Sequence, residues 1–355
     1  MKTYAVIMAG GEGTRFWPLS RKRLPKQLLN LSGKEIMINE TIDRIAKVIP
    51  SQDIFIVTNE MLKEQMIQAI EGRIPEDHIL TEPVGRNTAA CIGYAAVRIL
   101  HQYGDGVMAI SPSDAHIGDE ESFLRTFQHA IRHAMLTDRL VTIGIRPSYP
   151  ATAYGYIRYA KEKHDTVRKV IRFQEKPDYE TARTYLMEKD YLWNSGMFFW
   201  KASVIMQAYQ KFLPVHYQKL MKLKYAMHTG QEAAVKEQVY PEMEKISIDE
   251  GILEHAENIA VLQGDFAWSD VGSWDMLGCM YQADSNGNIL IGEHVNIDTN
   301  NTTCYSDGKM LVTVGVSDMV IVNTPDALLV CNKDHVQDTK IVVDILRNNG
   351  KLELL

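Results

Sequence analysis

Short, continuous apolar runs recur along the first half of the chain: Tyr4–Met8, Asp53–Thr58, Val107–Ser111 and Leu140–Ile145. Each is too short for a helix and does not alternate with polar residues, which predicts strands buried on both faces. Between them, Lys34–Ile49, Glu60–Glu71, Thr88–Tyr103 and Ser122–Leu136 space their apolar residues with a helical period. Strands alternating with helices at short intervals predict an α/β fold, with a doubly wound, mostly parallel Rossmann-like sheet.

The pattern changes after Pro147. Gly155–Tyr159 and Val167–Gln174 read as antiparallel strands, Asp178–Glu188 as a helix, Gly196–Lys201 as a strand and Ser203–Lys224 as one long helix. Ala260–Trp268 reads as a strand leading into a helix at Ser273–Tyr281. From Asn288 to Asn332 short β-rich pieces are separated by Asn, Asp, Gly and Thr, and a helix at Asp338–Asn348 closes the chain. The loop cluster Asp284–Gly287 predicts a boundary: a catalytic domain over 1–284 and a small β-rich, short β-helix-like domain over 285–355.

Composition narrows the choice. The 355 residues are 45% hydrophobic and 23% charged, ordinary for a globular protein with a sizeable core. A net charge of −7 argues against a broad nucleic-acid surface, which needs a basic field. Positive charge is nevertheless concentrated locally, at Arg15, Arg21, Lys22, Arg23 and Lys26. Cys91, Cys279, Cys304 and Cys331 form no Cys-x-x-Cys pair and read as buried or free thiols. No apolar stretch has the length of a signal segment or a membrane span, so a cytoplasmic protein without a membrane partner is expected.

The local charge falls in a glycine-rich segment, Ala9-Gly-Gly-Glu-Gly-Thr-Arg-Phe-Trp-Pro-Leu-Ser-Arg-Lys-Arg-Leu-Pro-Lys26. A strand feeds a loop in which Gly10, Gly11 and Gly13 leave backbone N–H groups uncovered for an anion. Arg15 and Lys26 add full charges to the same phosphates. A Walker A loop is absent, and Phe16 stands where a dinucleotide fingerprint needs its third glycine. A plain strand-to-helix turn remains the alternative for the glycines alone.

The whole run resembles the signature of the nucleotide-sugar pyrophosphorylases, Gly-Gly-x-Gly-Thr-Arg-x-x-Pro-Leu-(Ser/Thr) followed by Pro-Lys. Phe16-Trp17-Pro18-Leu19-Ser20 and Pro25-Lys26-Gln27 are similar to the mannose-1-phosphate guanylyltransferase branch. The resemblance runs in motif order over about the first 280 residues. It implies the nucleotide-diphospho-sugar transferase fold, GTP and mannose 1-phosphate as substrates, and nucleotide phosphates held by Gly10, Gly11, Gly13, Thr14, Arg15 and Lys26. No fused isomerase domain of the kind longer relatives carry is expected in a chain of this length. Oligomeric state stays open, a homodimer being one option.

Further motifs supply the rest of a site. Glu82-Pro-Val-Gly-Arg-Asn-Thr-Ala-Ala90 follows a strand and opens a helix, with Asn87 or Thr88 as the N-cap in the plain reading. In the functional reading this string, with Arg86, Asn87 and Thr88, faces the nucleobase. Glu82 then accepts hydrogen bonds from guanine N1–H and N2–H2, a donor pair adenine lacks. Asp114 and Asp270 each follow a strand, where open α/β sheets bind ligands. A lone Asp there reads as a turn or cap, but two suit a Mg²⁺ ion, and the resemblance assigns both that role. Ala115 stands where relatives have a His next to the Asp, so no role passes to His116.

Gly155, Glu175, Lys176 and Asn194 lie in strings similar to the sugar-phosphate half of such sites. Glu175 and Asn194 suit vicinal hydroxyls, Lys176 the sugar phosphate, and Gly155 close approach of backbone to the ring. The segment Ile246–His255 is similar to another family string, with Asp249 and Glu254 matched, but Glu250 and His255 depart from it. His129 and His133 have metal-ligand spacing without a metalloenzyme motif, and read as a solvated helix face, as does Lys219–Lys224. Three readings follow: the guanylyltransferase, a sister pyrophosphorylase with other substrates, or a non-catalytic nucleotide-sugar sensor.

Overall fold

A computed structural model describes every residue except 12 and 162–165. In chain order the strands are β1 (Thr3–Met8), β2 (Ile54–Asn59), β3 (Ile79–Glu82), β4 (Val107–Pro112), β5 (His116–Ile117), β6 (Leu140–Ile145), β7 (Tyr156–Tyr159), β8 (Val167–Gln174) and β9 (Tyr191–Lys201). They continue with β10 (Ile259–Gly264), β11 (Trp268–Ser269), β12 (Ile289–Ile291), β13 (His294–Ile297), β14 (Thr303–Ser306), β15 (Leu311–Val314), β16 (Met319–Asn323) and β17 (Leu328–Asn332). The chain divides into two compact units, and both are discontinuous in sequence.

The larger unit comprises Met1–Gly10, Ile42–Ser113 and Asp119–Trp268. Its nine-stranded sheet runs β3-β2-β1-β4-β9-β6-β10-β8-β7. The first four strands are parallel, as are β6 and β10, while β9 is antiparallel to both its neighbours β4 and β6. The sheet is therefore mixed, with its parallel part where strands and helices alternate. β1 and β2 are almost wholly buried, as their unbroken apolar runs require. Helices Asn87–Gln102, Ala202–Phe212 and Pro214–His228 pack together, and Glu120–Leu136 covers β6 and β9. Because β1, β3 and β4 are parallel near neighbours, Gly10, Glu82 and Ser113 emerge along one edge of the sheet.

The smaller unit comprises Gly11–Thr41, Asp114–Gly118 and Ser269–Leu355. The linear division at residue 284 separates only part of it, since the glycine-rich loop and the Asp114 turn also belong to this unit. β12, β14 and β16 stack in parallel register, as do β13 and β15, giving the rungs of a short β-helix. Its core holds Phe16, Trp17, Trp274, Val320, Val322 and Val343. Phe16 and Trp274 are fully buried with ring centroids 5.1 Å apart. Burial of such a ring contributes about 2–3 kcal/mol, so the glycine-rich segment is anchored by its aromatics.

Several elements differ from the sequence reading. The helix expected over Ser203–Lys224 is two, Ala202–Phe212 and Pro214–His228, with Leu213 at φ −128° and ψ 61° between them. Proline favours the first turn of a helix and disfavours helical backbone before it, so Pro214 starts a second helix. The strand expected over Ala260–Trp268 ends at Gly264, and the helix expected over Ser273–Tyr281 is a 3₁₀ segment at Trp274–Cys279. The strand expected from Gly196 already begins at Tyr191, so Asn194 lies within it. A helix at Glu232–Val239 was not expected from the sequence.

Candidate functional site

Within the smaller unit the glycine-rich segment is folded around Lys26. Gly13 has φ 61°, and a side chain there would place its Cβ 2.5 Å from the Cβ of Lys26. Only glycine tolerates both the conformation and the contact. The Ser20 hydroxyl donates to the Gly13 carbonyl at 2.8 Å, and the indole N–H of Trp17 donates to the Leu354 carbonyl at 2.9 Å. Gly11 is exposed, Thr14 and Arg15 are half-buried, and position 12 lies outside the described residues. Among the described residues Arg15 has no ion-pair partner.

Lys26 itself is buried. Its Nζ donates to the backbone carbonyl of Asp114 at 3.0 Å, ion-pairs with the Asp114 carboxylate at 3.0 Å, and donates to the backbone carbonyl of Asp270. One ammonium thus ties together three segments far apart in sequence. Burial of a charge is tolerated when it is paired and hydrogen-bonded in this way. Asp114 and Asp270, expected as metal ligands, are both brought to Lys26. Their carboxylates are oxygen donors of the kind a hard divalent cation takes, and substrate phosphates and water would complete the shell. Among the described residues no cluster of three His, Cys, Asp or Glu side chains is arranged to hold a metal. His129 is exposed and His133 half-buried on the helix Glu120–Leu136.

Within the larger unit the candidate base-facing string is held from two sides. Glu82 ends β3 and is buried; the Tyr240 hydroxyl donates to its Oε1 at 2.6 Å. Burial pushes the Glu82 carboxyl up to about 7, against the pull of the Tyr240 hydrogen bond and the Lys236 cation. Lys236 donates to the Thr81 carbonyl at 2.7 Å and its hydroxyl at 3.2 Å. Neither Asn87 nor Thr88 caps the following helix by its side chain as the plain reading expected; Arg86 occupies the N-cap. The Asn87 side chain accepts from the Thr88 N–H, with Asn87 at φ 65°. The Thr88 hydroxyl instead accepts from the Ile248 N–H at 2.8 Å, and Arg86 donates to the Pro241 carbonyl.

The sugar-phosphate candidates also come together in the larger unit. A Cβ on Gly155 would lie 2.5 Å from Glu175 Oε2, so that carboxylate sits directly over the glycine. Glu175 forms an ion pair with Lys176, and its N–H donates to Glu254 at 2.8 Å. The Asn194 N–H donates to the Gly155 carbonyl at 2.8 Å, and its amide donates to Asp249 Oδ1 at 2.9 Å. Burial, reinforced by the Glu175 carboxylate, pushes Asp249 up to about 7, while its backbone, Lys176 and Asn194 pull the other way. Glu250 turns onto Ser247, accepting from its hydroxyl at 2.8 Å, and His255 is exposed. The four thiols are free.

Sequence reasoning missed Tyr240 and Lys236, and gave Asp249 no role of its own. Tyr240 carries no local signal, since it lies 158 residues from the carboxylate it holds. Asp249 could have been found through the match of its segment to the family string.

Comparison with known proteins supplies the family. The model described as nucleotidyl transferase matches residues 4–286, and the model described as MannoseP isomerase/GMP-like beta-helix domain matches 292–346. A curated mannose-1-phosphate guanylyltransferase of Salmonella muenchen is 36% identical, over 99% of this chain and 75% of that one. One of Escherichia coli K12 is 35% identical over 99% of this chain and 75% of its own length. A crystal structure described as mannose-1-phosphate geranyltransferase from Thermus thermophilus superposes with a TM-score of 0.89 at 32% identity, covering 98% of this chain and all of that one. No described helix is long and apolar enough to cross a membrane.

Proposed function

The chain belongs to the nucleotidyl transferase family, and we propose that it converts GTP and α-D-mannose 1-phosphate to GDP-mannose and pyrophosphate. The observation that carries the proposal is the buried Lys26 ammonium, bound to Asp114 and Asp270 behind a glycine loop. The chain's similarity to curated mannose-1-phosphate guanylyltransferases supports guanylyl and mannose 1-phosphate as the groups joined.

The reaction needs no general base, because the sugar phosphate is already an anion. One of its oxygens attacks the α-phosphorus of GTP in line, and the bond to the β-phosphate breaks to release pyrophosphate. Positioning and charge neutralisation then carry most of the acceleration. Gly10, Gly11, Gly13 and Thr14 offer backbone and hydroxyl donors to the triphosphate, and Arg15 and Lys26 stabilise the leaving pyrophosphate. Enzymes of this family generally use divalent metal ions. Asp114 and Asp270 would hold Mg²⁺, which supplies Lewis-acid neutralisation of phosphate charge.

Glu82, with Arg86, Asn87 and Thr88 beside it, reads the guanine edge. Gly155, Glu175, Lys176 and Asn194 take the sugar phosphate. In this reading Lys176 exchanges Glu175 for the incoming phosphate. Residues 1–284 carry the chemistry, residues 285–355 form the small β-rich module, and the protein works in the cytoplasm, as a homodimer or alone.

Pyrophosphate release, measured with Mg²⁺ for each nucleoside triphosphate against mannose, glucose and N-acetylglucosamine 1-phosphates, tests the proposal. Release with GTP and mannose 1-phosphate should exceed every other pair. Preference for another pair would favour a sister pyrophosphorylase, and silence across the panel would favour a sensor.

A further inference from the structure

Glu82 is held by groups that the reaction does not touch. One carboxylate oxygen accepts from the Tyr240 hydroxyl at 2.6 Å. The other, Oε2, faces the start of the glycine loop: a Cβ on Gly10 would stand 3.2 Å from it. One oxygen of the buried side chain is therefore tied back by Tyr240, while the other lies beside Gly10. Tyr240 follows the helix Glu232–Val239, whose Lys236 donates to both oxygens of Thr81, the residue before Glu82. Lys236 also lies 3.9 Å from Glu60 and 5.6 Å from the ring centroid of Tyr94. That helix is braced in turn, since Glu232 accepts from the Tyr94 hydroxyl at 2.7 Å and pairs with Arg98.

We propose that Tyr240 and Lys236 are positioning residues for nucleobase selection: they orient the Glu82 carboxylate and keep it available as an acceptor for the guanine N1–H and N2–H2 donors. The inference rests on the reading that Glu82 recognises guanine. A hydroxyl uses one of the lone pairs of Oε1 and leaves the rest of the carboxylate for a ligand. It also favours the ionised form, as does the Lys236 cation, in a place where burial favours the neutral one. The groups facing Glu82 from its neighbours are Tyr240 and Lys236, with Cys91 from the helix Asn87–Gln102; Glu60 and Glu232 act on Lys236. A neutral Glu82 would offer one acceptor fewer to the base and would itself carry a donor.

The test compares GTP with ITP, which lacks the 2-amino group, in the full-length protein. Glu82→Gln should collapse the GTP/ITP ratio of kcat/KM. Tyr240→Phe, which removes only the buried hydroxyl, should raise the KM for GTP about tenfold and the KM for ITP, which keeps N1–H but lacks the 2-amino donors, by less. It should also move the acidic limb of kcat/KM for GTP to higher pH. Lys236→Met should move that limb in the same direction. If Glu82→Gln leaves the GTP/ITP ratio intact, the guanine reading fails. If it collapses the ratio while Tyr240→Phe loses activity equally for GTP and ITP with no shift of the pH limb, Tyr240 is merely structural and the inference alone is overturned.

Discussion

Two clusters of buried charge in this protein are built on opposite principles. Around Lys26, in the smaller unit, an ammonium is offset by a carboxylate and two backbone carbonyls. Around Glu82 and Asp249, in the larger unit, carboxylates are buried with neutral donors and only distant or partial cationic help, and both are pushed up to about 7. The first arrangement pairs its charge within the fold and suits a group that must meet the same phosphates in each turnover. The second leaves acceptor capacity unfilled, which suits groups that wait for the donors of one particular ligand.

The largest expected effect is at the first cluster. Lys26→Met should lower kcat by roughly a thousandfold, the scale of losing a principal electrostatic stabiliser. The buried Asp114 contact is lost with it, so circular dichroism should accompany the kinetics to separate turnover from folding. Asp270→Ala should lower turnover about a hundredfold or more while the fold survives; near-parental activity in that variant would remove the metal assignment. Gly155→Ala comes next, because its new Cβ would collide with Glu175 Oε2 at 2.5 Å. The KM for mannose 1-phosphate should rise about tenfold or more, with the KM for GTP held, as initial-rate kinetics would report.

The smallest effect sharpens the comparison through stability. Folded Glu82 binds its proton more tightly than the unfolded chain, whose value is near 4.3. Its burial therefore costs nothing below about pH 4 and progressively more until the pH passes its folded value of about 7. Urea unfolding of the ligand-free protein should find Glu82→Gln more stable than the parent by about 2–3 kcal/mol at pH 8, and no more stable at pH 4. An equal difference at both pH values would mean that the titration of Glu82 is not what the substitution removes.

The sequence made local features plain and distant ones invisible. The strands Leu140–Ile145 and Val167–Gln174 were legible to the residue, because their apolar runs are bounded by clear breaks. The glycine loop and its two charges were legible because their spacing is itself the chemistry. The split at Pro214 was legible in principle, but the apolar period continues through it. The apolar residues of the helix Glu232–Val239 fall mostly in one consecutive run, Ala233-Ala234-Val235, so no helical period stands out. That cost the reading Lys236 and Tyr240, whose meaning depends on contacts with residues more than 150 positions away. Asn194 was found as a candidate, yet its amide bond to Asp249 spans 55 residues and needed the folded sheet to be seen.

The central claim is that an oxygen of the sugar phosphate displaces pyrophosphate from GTP. Mannose 1-phosphate carrying ¹⁸O in its non-bridging phosphate oxygens tests it most directly. After incubation with GTP and Mg²⁺, mass spectrometry should find the label in GDP-mannose and none in the pyrophosphate. Label in the pyrophosphate, or turnover of the sugar phosphate without GDP-mannose, would contradict the account.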